Sequence, residues 1–469
     1  MEIRFSCSRC GRKLKADPEA AGQRSECPEC GNELHIPSAS NGIDFSNIPP
    51  RSDLPQENGT DMPQQVDTTK GKYTCPTCWL KFDAGAIMHI SVHDHLKGDP
   101  ILGEDVQQRF YAMRFNDHSQ ALDAMGMVCT ELACPHCRRR LPVGFLEEPH
   151  HIFSLVGDQS AGKSYLLSVL SKMLPGSLFN HFGVTMQDAD PTGNAALNDM
   201  RNSMFAAETP EKIKVVKTVM EGAMYERLPR QGRIVALPRP FIYTMGAPDP
   251  RKPRCSFIFY DNAGEHFQPG VRLVEQPGAL HVASASAIFF LFDPFNNPDF
   301  RRAMKGTLDP QMEKPVVDQQ DIILSEMRSR ILNLRGLSSN YRMAEPMAIL
   351  LGKFDAWQHL LPVGSMQYPV VNGCLDLEIV RANSERLREL LLSICPSIVA
   401  NAEALSSDVC FFAVSAFGHT PVKLDGAVEA KYLPDPARLK PFHVDVPPLW
   451  VLSKLSPELV PSRNSQVLN

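Results

Sequence analysis

Gly157 is followed, after four residues, by Gly162, Lys163 and Ser164, within the run HIFSLVGDQSAGKSYLLSVLSKML. Residues of these types at this spacing can hold a phosphate tail. Glycines let a short loop turn so tightly that successive N–H groups point inward at one anion, and a helix starting at the end of the loop adds its positive end. Lys163 supplies an ammonium to the terminal phosphates, and Ser164 offers a hydroxyl to Mg2+. The candidate binding set is therefore Gly157, Asp158, Gln159, Ser160, Ala161, Gly162, Lys163, Ser164 and, one residue into the helix, Tyr165.

A magnesium shell needs a second oxygen ligand from the end of a neighbouring strand. CSFIFYDNAGEHF supplies Asp261 after an apolar run, with Gly264 three residues on, where a backbone N–H can meet a terminal phosphate. Ligands of open α/β sheets bind outside the carboxyl ends of the strands, and two later apolar runs end suggestively. One leads into Gly352, Lys353, Phe354 and Asp355, the other into Ser415, Ala416 and Phe417. A carboxylate such as Asp355 can accept both N1–H and the exocyclic amine of guanine, and a backbone N–H near Ala416 can donate to its carbonyl oxygen.

Eight of the thirteen cysteines fall in four Cys-x-x-Cys pairs, a pattern that in a reducing compartment serves metal better than disulfides. Cys7, Cys10, Cys27 and Cys30 have the spacing of a four-thiolate zinc ribbon, each pair forming a knuckle that presents two thiolates. Cys75 and Cys78 with Cys134 and Cys137 form a second set split by an insertion, with Cys129, His89, His93 and His95 as competing ligands. Two zinc ions per chain are expected.

The elements that must position these groups follow from the apolar pattern. Apolar runs at 151–156, 236–245, 255–260, 287–292, 347–351 and 409–414 alternate with helical patterns, which predicts an α/β fold with a mostly parallel sheet. The second and third runs are separated only by GAPDPRKPR, which suits an antiparallel hairpin. Helices are expected at 321–335 and 376–392, and after the phosphate loop a helix that stops near Pro175. The expected organisation is a zinc ribbon at 1–37, a Pro-rich disordered linker at 38–71, a second zinc-binding module at 72–149, a nucleotide domain at 150–456 with a helical insert about 192–233, and a tail at 457–469. Within the insert, helix is expected at 194–205 and 211–226.

A length of 469 residues and ordinary composition fit two or three globular domains, and a net charge of −5 argues against a chain-wide nucleic-acid footprint. With no apolar leader and no apolar stretch of spanning length, a cytoplasmic protein without a membrane anchor is expected.

Taken in order, GDQSAGKS, DNAGE, GKFD and SAF resemble the phosphate, switch, base-recognition and closing motifs of translation-factor-class P-loop GTPases, the group that includes the Ras-like proteins. The resemblance implies GTP and GDP as ligands with Mg2+ held by Ser164 and Asp261, Lys353 and Asp355 on the base, and Ser415 with Ala416 closing over it. More narrowly, the cysteine-rich segment ahead of the domain, the long insert and the ending FHVDVPPLWVLSKL are similar to double-GTPase families of bacterial conflict systems. That similarity implies a prokaryotic regulatory switch working beside a second GTPase or an adaptor. Glu265 stands where the family has its catalytic glutamine, with His266 beside it, so Lys163, Glu265 and His266 are the catalytic candidates and slow unaided hydrolysis is expected.

Gly352 replaces the usual asparagine, removing an amide that ties base loop to phosphate loop. The switch threonine is open among Thr185, Thr192, Thr209 and Thr218, and Arg227, Arg230 and Arg233 are either a cis arginine finger or a solvated helix end. The rival readings are an ATPase and a nucleotide-binding scaffold whose zinc ribbons recruit partners. For the ribbons, a protein-contact or structural role is favoured over nucleic acid.

Overall fold

The computed structural model describes residues 3–6, 12–17, 20, 23–31, 33–35, 72–214, 224–230, 233–249, 252–261, 280–316, 320–424 and 431–464. Two compact units divide the chain between Val66 and Asp67. In the first, Ile3–Ser6 pairs antiparallel with Lys13–Ala16, and Arg24–Glu26 with Glu33–His35.

The second unit is built on a seven-stranded sheet. Its strands are β1 (His150–Gly157), β2 (Thr185–Asp188), β3 (Pro240–Gly246), β4 (Arg254–Asp261), β5 (Ala287–Phe292), β6 (Met347–Leu351) and β7 (Val409–Ala413). Their order is β2-β3-β4-β1-β5-β6-β7, and only β3 runs against the rest, pairing antiparallel with both neighbours. The central strands are buried on both faces, which explains why β5 reads AIFFLF with no polar alternation.

Alternate residues face two cores. Phe153, Leu155, Phe289 and Leu291 join one with α1 (Lys163–Phe182), α2 (Ala195–Ala206) and, from the far end of the chain, Val446–Leu455. Ile152, Val156, Phe290 and Ile349 join the other with α3 (Gln320–Arg335), the C-terminal half of α4 (Leu377–Ile394) and the following α5 (Pro396–Leu405). Cys75, Cys78, Cys134 and Cys137 belong to that second core. The cysteine segment thus shares its buried surface with the sheet. Among the described residues no helix is long and apolar enough to cross a membrane.

Three local expectations change. The helix after the phosphate loop runs through Pro175 to Phe182 and closes at Gly183, whose φ is +66°. Burial of Leu170, Leu174 and Leu178 on one stripe outweighs the proline's cost of about 3 kcal/mol, since each buried leucine returns roughly 1.5–3 kcal/mol. In the insert, helix forms at Ala195–Ala206, but Tyr225–Arg230 and Arg233–Pro238 are an antiparallel hairpin that buries Leu228, Val235 and Leu237. On the second strand, buried Val235 and Leu237 flank half-buried Ala236, which is the strand period and not the helical one. Of the rest of the expected 211–226 helix, a single turn forms at Pro210–Lys212, Ile213, Lys214 and Met224 are not helical, and 215–223 lie outside the described residues. Finally, the run at 236–245 divides at Arg239, so Pro240–Gly246 alone enters the sheet, and Thr185–Asp188 adds the seventh strand. The Thr185 hydroxyl donates to the Gly246 carbonyl at 2.9 Å, tying that edge to its neighbour. Residues 457–464 also pack into the fold, with Ser462–Arg463 pairing parallel to Cys374–Asp376.

Candidate nucleotide site and four-cysteine centre

The phosphate loop leaves the central strand β1 at Gly157. A Cβ there would lie 2.6 Å from the Leu291 carbonyl oxygen of β5, so only glycine fits. Ser160 at φ +62° and Gly162 at +100° turn the chain into α1, which begins at Lys163. The Lys163 side chain is 6% exposed, and its ammonium donates to the carbonyls of Gly157 (2.9 Å) and Asp158 (2.7 Å). Those bonds satisfy a buried charge and pin the ammonium under the loop it spans. Gln159 and Ser160 form the exposed tip, Ala161 is buried, and Tyr165 packs edge-on against Phe417 at 5.0 Å.

Parallel pairing of β1 with β4 brings Asp261 beside the start of α1. The Ser164 hydroxyl donates to Asp261 Oδ2 at 2.5 Å across 97 residues of sequence. These are the two protein oxygens expected to hold magnesium, and a hard divalent cation bound by one or two protein oxygens, waters and phosphates suits this donor set. Gly264, Glu265 and His266 lie outside the described residues. Asp158 is buried, and burial raises its carboxyl above the usual range; its oxygens accept from Gln159 N (2.7 Å) and Asn296 Nδ2 (2.9 Å).

At the carboxyl ends of β6 and β7 the two expected base-binding segments meet. Ser415 Oγ donates to Asp355 Oδ1 at 2.5 Å, and Phe354 N donates to the Val414 carbonyl at 3.1 Å. Lys353 takes a left-handed conformation, φ +57°, and its ammonium pairs with Asp293 Oδ2 at 2.7 Å. Ala416 is half-buried next to Ser415, whose backbone exchanges two hydrogen bonds with Phe442. Asp293, Asn296 and their turn after β5 were not among the candidates. The signal available was the same strand-end rule, applied to DPFN after AIFFLF.

In the four-cysteine centre, Cys75 Sγ lies 3.7 Å from Cys137 Sγ and Cys78 Sγ 3.8 Å from Cys134 Sγ, with all four sulfurs within 4.8 Å of one another. A tetrahedron with zinc–sulfur bonds of about 2.3 Å has edges of about 3.8 Å, whereas a disulfide needs about 2.05 Å. The set fits a tetrahedral zinc.

The two halves are built alike. Trp79 N and Arg138 N donate to the carbonyls of Cys75 and Cys134, both Trp79 and Arg138 have φ near +60°, and Thr77 N and His136 N donate to sulfur at 3.4 Å. Such N–H···S bonds favour thiolates, and sulfurs near 3.4 Å from two amides match the donor set zinc selects. Cys129 instead donates to the Met127 carbonyl, and among the described residues no other group of three or more candidate ligands forms. Burial pushes the Cys75 thiol up, while hydrogen bonds from Cys137 first, then Cys75 and Cys78, hold Cys134 down.

In the first unit Cys27 is buried, Cys30 half-buried, and Gly31 N donates to the Cys27 carbonyl with φ +67°, the same knuckle geometry. Cys7 and Cys10 lie outside the described residues.

The centre abuts the strand that carries Asp261. The Tyr260 hydroxyl donates to the Pro76 carbonyl within the first knuckle, Trp79 meets Tyr260 edge-on at 5.8 Å, and Tyr260 stacks on His281 at 4.8 Å. Ser154 Oγ of β1 and His281 Nδ1 lie 2.7 Å apart.

A mostly parallel sheet with one reversed strand, a glycine loop held by a lysine at its central strand, and a Ser–Asp pair across two strands define an α/β domain of P-loop GTPase-like architecture, joined to a four-cysteine module. No protein-family model matches the chain, and no curated protein matches it. Among solved structures, sup35 complexed with GDP is similar at TM-score 0.22 and 11% identity, over 57% of this chain and 38% of that one. The Ski7 GTPase-like domain of S. cerevisiae, bound to GTP, is similar at TM-score 0.26 and 14% identity, over 60% of this chain and 47% of that one. The chain spans less than half the length of either. Overlaps this slight leave the class resting on the chain's own topology and loop.

Proposed function

We propose that this chain binds GTP with Mg2+ at the 157–164 loop and hydrolyses it slowly, acting as a nucleotide-governed regulatory switch. The observation that carries the reading is the Ser164–Asp261 pair, 2.5 Å apart beside a buried lysine whose loop can take a phosphate tail. Asp355, held by Ser415, is the group that favours guanine over adenine, because a carboxylate can accept from two guanine N–H groups. In this reading Lys163 neutralises the terminal phosphates, Ser164 and Asp261 fix the metal, and Glu265 or His266 orients water. Loss of the terminal phosphate then changes the segment after Asp261 and with it the partner, for which a second GTPase or an adaptor protein is proposed. The two cysteine sets each hold one zinc and serve protein contact or stability.

The test is single-turnover phosphate release from GTP in the presence and absence of excess ATP. Release that persists in Lys163→Ala, or that ATP suppresses more effectively than unlabelled GTP, overturns the assignment.

A further inference from the structure

One short turn holds both loops of the candidate nucleotide site. Asp293, 2% exposed, follows β5 directly and caps the turn Pro294–Asn296 by accepting from Phe295 N at 3.0 Å. Its backbone is bracketed by fully buried Gln320 at the start of α3, which accepts from Asp293 N at 2.7 Å and donates to Asp293 O at 3.1 Å. From this fixed point the turn reaches in two directions. Towards the base loop, Asp293 Oδ2 accepts from Lys353 Nζ at 2.7 Å, and the same ammonium sits 5.1 Å from the Phe295 ring centroid. Towards the phosphate loop, Asn296 Nδ2 donates to Asp158 Oδ2 at 2.9 Å.

Gly352, at the start of the base loop, has no side chain with which to make such a link. A Cβ there would lie 3.1 Å from Leu291 Cδ1 and 3.2 Å from the Phe292 carbonyl oxygen, so the end of β5 crowds the position. The strand that lies close against position 352 leads straight into the turn that reaches both loops.

We propose that the Asp293–Asn296 turn is a clasp that couples the base loop to the phosphate loop, with Asp293 and Asn296 as positioning residues that make base selection depend on the seated phosphate tail. The inference rests on the nucleotide-binding reading above. Breaking the clasp leaves the cradle able to hold a phosphate tail but lets the base loop shift relative to it. The cost therefore falls on the base.

The experiment measures Mg2+-dependent affinity of the full chain for GTP, ITP and inorganic tripolyphosphate, in the wild type, Asn296→Ala and Asp293→Asn. ITP lacks the exocyclic amine that Asp355 would accept. Each variant should bind GTP about tenfold more weakly, which is 1.4 kcal/mol, keep tripolyphosphate affinity within about twofold, and lose most of the preference for GTP over ITP. A merely structural defect would weaken GTP and tripolyphosphate alike, and that result overturns the clasp, as do unchanged ratios. Circular dichroism checks folding; should Asp293→Asn fail to fold, the half-buried Asn296 carries the test alone. If the wild type binds tripolyphosphate and GTP but the variants keep both ratios, only the clasp fails. If the wild type binds neither, the nucleotide reading fails and the clasp with it.

Discussion

Removing the metal from the Cys75, Cys78, Cys134 and Cys137 centre should unfold the sheet as well as the cysteine segment. All four residues are at most 6% exposed and belong to the core that contains Ile152, Val156, Tyr260 and Phe290. Residues 67–469 form one compact unit, so there is no separate small domain for the loss to stay within. A structural zinc contributes about 10–16 kcal/mol to the fold it completes, whereas a domain's net stability is roughly 5–15 kcal/mol. Loss of the ion can consume the whole margin. Replacing one thiolate by Cys134→Ser, with weaker metal retention by the remaining three, should cost several kcal/mol. At roughly 2 °C per kcal/mol for a domain of this size, that is a fall of about 10 °C in melting temperature.

The assay is thermal unfolding of the full chain, followed by near-ultraviolet circular dichroism, with zinc measured by elemental analysis before and after chelation. The buried Trp357 and Trp450 report on the sheet and its helices, while Trp79 reports on the centre itself. If zinc leaves and the Trp357 and Trp450 signals melt where they did before, the shared-core argument is wrong.

Acid should destabilise the protein through two half-buried histidines. Burial lowers His150 and His443 to about 4, against about 6.5 in an unfolded chain. Folding then favours their neutral forms, so this stability is complete above pH 6.5 and is lost as pH falls towards 4, about 2 kcal/mol for each at pH 5. His150→Phe, which can keep the stacking on Phe145 at 4.1 Å, should flatten the fall in melting temperature between pH 7.5 and 5; an equal fall in both proteins contradicts the linkage. Gly157→Ala should lower stability by about 1–3 kcal/mol and weaken nucleotide binding, because its Cβ would press on the Leu291 carbonyl and part β1 from β5. Unaltered urea unfolding would refute that contact. Elemental analysis of the purified chain should return two zinc ions, and a value of one would remove one of the cysteine sets from the account.

The parts of the site that chemistry constrains tightly were legible in the sequence. Gly157 has no room for a Cβ, Gly162 turns the chain with positive φ, and the pairs Cys75/Cys78 and Cys134/Cys137 close into matching knuckles. Four of the long buried strands and the antiparallel pair were also readable, since continuous apolar runs between turn residues have few other uses. What was not readable depends on partners distant in the chain. Pro175 is a helix breaker by local propensity, yet packing of Leu174 and Leu178 against the sheet keeps the helix intact. The hairpin at 225–238 carries arginines and two prolines that obscure its strand pattern. The Asp293–Asn296 turn gains its meaning only from Asp158 and Lys353, which the fold brings to it from both sides. The place of the cysteine centre against Tyr260 and His281 likewise follows from tertiary packing and leaves no local pattern.

Isothermal titration of GTP into the full chain, with and without Mg2+, addresses the main assignment most directly. The phosphate loop, Lys163 and the Ser164–Asp261 pair predict saturable heat at one site, strongly reduced without the metal and abolished in Lys163→Ala. No heat from the wild type with Mg2+ present, or equal heat from Lys163→Ala, would contradict it.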